Sequence, residues 1–369
     1  MKQLLDLEAF KFDLHCRGPI YYPPPILGII SSCRAQGLTP DAILQKINIG
    51  ILDRAVNIDE DLYRASWEKS GLNGVCASLG MACSAKNRSG AIFQDLDAFH
   101  LLCSYSNKSP FKIIRSLGHL HEILDVGGIG FIFQVEDLDF IDNFYVLDDL
   151  FAKGVRIFGL AYNYGSPFSS GCLSTSDYGI TRFGLDFIKW ANDSGAAIDI
   201  SHCSEKAALK VMELSNNVTC THSFRKVLNG NPRGKSDKVF TLLAERNGCV
   251  GIPLHPGLIR LPSETIVNLE TFCTHVKSLV DLIGVQHVCI GSDWVGRIPE
   301  SVTNLLNETQ ERGNDQSLNW SADVLGFESF SGWGVLLNAL RHSGMSNHEI
   351  EYIQGMSFIR SNLAQEKNE

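Results

Sequence analysis

The sequence predicts an α/β fold, a closed (β/α)8 TIM barrel, from three observations. Short apolar, β-branched runs alternate with longer amphipathic stretches, the signature of a parallel sheet. Eight such runs occur. No glycine-rich phosphate fingerprint follows any of them, which favours a closed barrel over an open doubly wound sheet. At 369 residues the chain exceeds an average domain, yet a barrel with insertions reaches this size as one unit.

In order, the expected strands cover residues 10–15, 74–79, 130–135, 155–161, 196–201, 218–222, 249–254 and 287–292. Helical periodicity fills the intervals, most clearly over 183–194, 204–214, 236–247 and 269–283. Ser204-Glu205 and Ser236-Asp237 supply helix-entry signals, a capping hydroxyl followed by an acidic first turn. The spacing is uneven at two places. A stretch over about 20–70, opening on Tyr21-Tyr22-Pro23-Pro24-Pro25, separates the first two strands, and another covers about 295–330 after the eighth. Both are expected to be insertions in a single barrel domain over 1–369, with closing helices near 333–340 and 346–356. No internal repeat is visible.

Composition narrows the function. With 44% hydrophobic and 20% charged residues, the chain has the make-up of a soluble globular protein with a large core. Its net charge of −9 argues against nucleic acid as a partner. No apolar window approaches the ~18 residues of a membrane span. The amino-terminal MKQLLDLEAFKFDLHC has no stretch of signal-peptide length, and the carboxyl-terminal NLAQEKNE is too polar for an anchor signal. Eleven cysteines, an odd number without a CxxC pair, suggest neither a disulfide framework nor a thiolate zinc site. A reducing cytoplasm is the expectation.

Chemistry in a barrel concentrates at the strand carboxyl ends. Strand one ends in Asp13-Leu14-His15-Cys16-Arg17, strand three in Val135-Glu136-Asp137, and strand five in Asp199-Ile200-Ser201-His202. Strand six ends in Thr221-His222-Ser223 and strand eight in Gly291-Ser292-Asp293. Each residue alone reads most simply as a hydrogen-bonded structural group. Imidazoles and carboxylates gathered at five strand ends suit a divalent metal such as zinc.

Longer segments carry a resemblance. GITRFGLDFIKWANDSGAAIDISHCS, THSFRKVLNGNPRGKSDKVFTLLAERNGCVGI, LFAKGVRIFGLAYN and HVCIGSDW resemble, in order and over nearly the whole length, the membrane dipeptidase (renal dipeptidase) family of metallopeptidases. That family holds two zinc ions bridged by a glutamate. The resemblance implies that His15 belongs to the first metal, that Glu136 bridges, and that His202 and His222 hold the second. It implies that Arg233 binds the substrate carboxylate and that Asp293 is the acid/base. Tyr162 stands where the family has a histidine that stabilises the oxyanion, and it is expected both to bind substrate and to assist catalysis as a hydrogen-bond donor.

One departure is prominent. The family's first-strand motif is Asp-x-His-x-Asp, and Arg17 stands at the second, metal-ligating Asp. A guanidinium has no lone pair to offer. Three outcomes remain open: a single zinc at Glu136, His202 and His222; a weak first site rescued by Asp13 or Asp137; or Arg17 paired with Glu136 and no tightly bound metal. The leading expectation is an amide hydrolase acting on a dipeptide or small dipeptide-like molecule. The alternatives are a biosynthetic enzyme acting on a peptide-derived intermediate without simple hydrolysis, and a metal-poor inactive homologue. The family also implies a homodimer.

Overall fold

A computed structural model describes residues 10–363 apart from 20, 21, 23, 57–61, 81–84, 105–109, 295, 297 and 310–322. Both chain ends, on which the signal and anchor expectations rest, and part of the second insertion lie outside the described residues.

Nine strands are described: β1 (Phe12–Asp13), β2 (Gly74–Leu79), β3 (Phe111–Ile113), β4 (Ile129–Val135), β5 (Val155–Gly159), β6 (Ala197–Asp199), β7 (Val218–Thr219), β8 (Val250–Ile252) and β9 (Val288–Ile290). Every pairing is parallel. The order runs β1-β2-β4-β5-β6-β7, with β8 paired to β9. Single bridges close the ring. Gly251 N donates to Cys220 O at 2.8 Å between β7 and β8, and Leu14 N donates to Ile290 O at 2.9 Å between β9 and β1.

All eight expected strands are present, several of them shorter than the apolar runs that announced them. The ninth, β3, lies against the first half of β4 (Phe111↔Ile129), whose second half pairs with β5 (Val135↔Phe158). Three residues, Phe-Lys-Ile, are too few to show a period.

Parallel strands covered on both faces read as continuous apolar runs, and β2 and β4 are buried at every position. The helix signals hold as well. Ser204 Oγ accepts from Ala207 N, and Ser236 Oγ accepts from Val239 N. Along β4 the inward face alternates Ile132, Gln134, Glu136. Ile132 belongs to a largely apolar floor with Cys76, Ile157, Ala197, Cys249 and Cys289, sealed from below by Met356 and Phe358. Polar chemistry begins one layer higher.

The first insertion forms three helices, Pro24–Ala35, Pro40–Val56 and Leu62–Ser70. Its Ile26, Ile30, Ile43 and Ile47 pack with Ile298, Val302 and Leu305 from the described part of the second insertion. Both insertions leave from strand carboxyl ends, so this separate cluster belongs to the face on which the polar residues converge. Among the described residues no helix is long and apolar enough to cross a membrane, and the ten described cysteines are free thiols.

Candidate metal centre

The site rests on Asp199 at the end of β6. Its Oδ1 accepts from Ser201 N at 3.0 Å, Ser201 Oγ at 2.6 Å and Thr221 N at 3.0 Å. Its Oδ2 accepts from Thr221 Oγ1 at 2.7 Å and Gln134 Nε2 at 2.7 Å. A carboxylate satisfied five times over locks three strands at one level. Crowding there leaves no room for side chains on the neighbouring strands: a Cβ on Gly251 or Gly291 would meet the Thr221 carbonyl at 2.1 or 1.9 Å.

Three histidines stand above this anchor, each with Nδ1 committed. His15 Nδ1 lies 3.0 Å from Gln134 Oε1, His202 Nδ1 lies 2.8 Å from Asn163 Oδ1, and His222 Nδ1 lies 2.9 Å from Thr221 Oγ1. The amide oxygens only accept. Thr221 has already given its one proton to Asp199, so it accepts from His222. The network therefore places a proton on all three Nδ1 atoms and turns all three Nε2 atoms towards the cavity. His202 Nε2 and His222 Nε2 are 3.0 Å apart. Two lone pairs at that distance repel unless a cation shares them, and such a donor set fits a divalent metal.

Glu136 faces the same point. Its Oε1 lies 3.5 Å from His15 Nε2, its Oε2 lies 3.4 Å from His202 Nε2, and Ser78 Oγ donates to Oε1. His15, Glu136 and His222 each present a ligand atom within 4.8 Å of the others. His202 joins through its contacts to His222 and Glu136, while Arg233 Nη2 donates to its Nε2 at 3.2 Å.

Electrostatics divide the histidines. Burial, assisted by Arg233, pushes the His202 pKa down to about 3. Burial, with His15 and Arg233 nearby, pushes His222 well below the usual histidine range. At His15 burial also works against the charged form, but Glu136 and Asp293 outweigh it and raise the pKa. Glu136 is held far below the usual carboxylate range by His15 and His202 despite its burial. Burial raises Asp293 to about 6, with His15 opposing. Asp293 sits at φ 54, a left-handed conformation rare outside glycine, and its Oδ1 lies 3.7 Å from His15 Nε2.

The other expected residues fall around this centre. The Tyr162 ring stacks on His202 with centroids 4.2 Å apart. Arg233 is buried, and its Nη1 donates to Ser201 O at 2.5 Å. Asp13 accepts from Ser292 N at 2.8 Å, and Asp137 Oδ1 accepts from Asp139 N at 3.1 Å. Arg17 meets Asp95 rather than Glu136. Its Nη2 lies 2.7 Å from Asp95 Oδ2, which also accepts from Gly80 N at 2.9 Å.

Sequence reasoning missed Gln134, Asn163 and Asp95. Gln134 and Asp95 left a signal. Gln134 interrupts an otherwise apolar strand on its inward face. Asp95 falls on the buried stripe of its helix with Ile92, Leu96 and Phe99.

Known proteins show the same architecture. An amidohydrolase from Pseudomonas aeruginosa superposes with a TM-score of 0.73 at 16% identity, covering 98% of this chain and 99% of that one. A metallopeptidase from Rhodobacter sphaeroides, solved with a phosphinate mimic of the dipeptide L-Ala-D-Ala, gives 0.69 at 17% identity, covering 96% and 99%. In sequence, the chain is 26% identical over 276 residues to dipeptidase verJ of Clonostachys rogersoniana, covering 73% of this chain and 64% of that protein. It is 23% identical over 261 residues to human dipeptidase 3, covering 67% and 52%. The chain thus spans less than two thirds of the length of these relatives. The family description "Membrane dipeptidase (Peptidase family M19)" matches residues 40–318, a stretch that carries Glu136, Tyr162, His202, His222, Arg233 and Asp293, and so this chain belongs to the membrane dipeptidase family.

Proposed function

We propose that this chain is a metal-dependent hydrolase that cleaves the amide bond of a dipeptide or small dipeptide-like molecule. The observation that carries the reading is the set of three imidazoles whose Nδ1 protons are all engaged, leaving their Nε2 atoms around Glu136. Glu136, His202 and His222 would hold one zinc ion, with His15 beside them as the remaining donor. A bound divalent ion supplies Lewis acidity and a water acidified towards neutral pH.

The chain's own residues do the rest. Asp293, aimed into the cavity by its left-handed backbone, takes the proton of the attacking water and passes it to the leaving amine. Tyr162 donates a hydrogen bond to the carbonyl oxygen as it becomes an oxyanion. Arg233, braced on the Ser201 carbonyl and beside His202 Nε2, offers the N–H groups not spent on these contacts to the substrate carboxylate, a task suited to a planar fork. Arg17, neutralised by Asp95, leaves the first metal position without its carboxylate, so one ion rather than two is expected. That loss is also the observation favouring a second reading, a biosynthetic reaction on a peptide-derived intermediate without hydrolysis.

Elemental analysis of the purified protein, with turnover of free-acid dipeptides before chelation, after chelation and after zinc return, tests the proposal. The expected result is about one zinc per chain and activity that follows the metal. A protein that binds no zinc and hydrolyses no dipeptide refutes it.

A further inference from the structure

We propose that Gln134 is the positioning residue of this metal centre, setting His15 directly and His222 through Thr221. The inference rests on the metal reading above and concerns a residue that no ligand or catalytic role includes. Gln134 is fully buried, on the inward face of β4, one layer above the apolar floor and one below Glu136. A primary amide is costly to bury in such a place unless its groups are met. Here they are met by the site and by Cys76 of the floor beneath it. Oε1 faces His15 Nδ1 at 3.0 Å and accepts from Cys76 Sγ at 3.4 Å. Nε2 donates to Asp199 Oδ2 at 2.7 Å and to Thr221 Oγ1 at 3.2 Å.

The amide cannot be turned over. Asp199 only accepts, so the nitrogen must face it, and the oxygen is left facing His15. That fixes the His15 proton on Nδ1 and presents Nε2 to Glu136. On the other side, Nε2 and His222 Nδ1 both donate to the Thr221 oxygen, whose own proton goes to Asp199. One side chain thus sets the ring of one metal donor and steadies the hydroxyl that sets another. Groups of this kind, hydrogen-bonded behind a ligand, typically contribute roughly 10- to 100-fold in metal affinity.

The test compares the wild-type chain with Gln134→Met and Gln134→Glu, both close in volume. Nitrogen-15 spectra of histidine-labelled, metal-free protein, recorded at alkaline pH where the imidazoles are neutral, report which ring nitrogen carries the proton. His275, whose Nε2 lies 2.8 Å from the Ile259 carbonyl, serves as internal control. Zinc affinity is measured on the same samples by competition with a chelator.

Gln134→Met should lose the fixed Nδ1–H form of His15, leave His275 unchanged and weaken zinc binding by about 10- to 100-fold. Gln134→Glu keeps an acceptor for His15 but sets an oxygen in place of the donor to Asp199 and Thr221, so it should keep the His15 tautomer and still bind zinc less tightly than the wild type. A Gln134→Met protein with wild-type His15 signals and wild-type zinc affinity overturns the proposal, and so does one that merely melts earlier. If the wild-type chain takes up no zinc while His15 still responds to Gln134→Met, the metal reading fails and the positioning role stands.

Discussion

The two sides of the cavity were built to different rules. On the side of β6 and β7, a connected polar network serves the centre: Asp199 anchors Ser201 and Thr221, Thr221 orients His222, and Asn163 orients His202. On the side of β1, His15 still faces inward, but two residues later the chain turns away. Arg17 leaves the cavity for Asp95 on the helix Ala85–Ser104 and forms a self-contained buried pair there. A cation two residues beyond His15 does not have to face the cavity. It needs a private counter-ion, and Asp95 supplies one. The difference teaches that one side of such a cavity can carry a buried cation while the hydrogen-bonded scaffold of the other side stays intact.

The harshest way to break this contrast is to remove a ligand from the intact side. His222→Ala should cut both metal uptake and turnover sharply, because it removes one of the three proposed ligands and leaves His15 as the one spare donor beside Glu136 and His202. Metal content and activity measured on one preparation decide it. A His222→Ala protein that keeps its zinc places the centre elsewhere.

On the altered side the expected effect is on stability. Asp95→Ala strands the Arg17 guanidinium in the interior and should cost about 3–5 kcal/mol. Replacing the pair together, Arg17→Met with Asp95→Leu, should recover most of that loss, since well-packed apolar groups often match a buried ion pair. Denaturant midpoints of the three proteins provide the measurement. Zinc content unchanged in the double variant sharpens the comparison, because it shows the pair to be separate from the centre. If zinc is lost together with the pair, the two sides are not independent.

Arg233 connects substrate to the intact side. Arg233→Ala should cost about 2–5 kcal/mol in transition-state binding of a free-acid dipeptide, or roughly 30-fold to several-thousand-fold in kcat/KM. An amidated dipeptide offers no carboxylate to clamp, so its loss should be smaller. It should not vanish, because the same guanidinium also donates to the Ser201 carbonyl and to His202. Equal losses on both substrates would reduce Arg233 to a brace.

How far the sequence carried is clearest at particular residues. The eight principal strands and the inward His15, Glu136, His202, His222 and Asp293 were legible because barrel periodicity and strand-end placement are local signals. Asn163 was not, because its partner is 39 residues away in the chain. Nor was the Arg17–Asp95 pair: the charge at 17 was plain, but its counter-ion lies on a helix whose packing only the fold decides. β3 was missed because three residues beside half a strand leave no period to read.

The smallest expected effect concerns the loop that carries His202. Asp177 gathers that loop: its Oδ1 accepts from Ser170 Oγ at 2.8 Å and from Ser204 Oγ at 2.5 Å, and its Oδ2 accepts from Lys206 N at 3.0 Å. Ser204 is also the cap of the helix Glu205–Leu214, so Ser204→Ala should cost about 1 kcal/mol. Zinc content should not change, because Asn163 rather than Ser204 holds His202. The same cluster sets a pH dependence. Burial pushes the Asp177 pKa up, but the hydrogen bonds from Ser204, Lys206 N, Ser170 and Gly179 N outweigh it, and the folded value is lowered. A lowered folded value means the stabilisation is present in full above the unfolded aspartate pKa of about 3.9 and is lost as the pH falls through the folded one. Melting temperatures across the acid range should therefore fall more gently for Asp177→Asn than for the wild type, with the two curves converging at the acid end. The carboxylate is only partly buried, so the gap at neutral pH should be small. Parallel curves would mean that Asp177 holds the His202 loop by shape alone and that its charge contributes nothing.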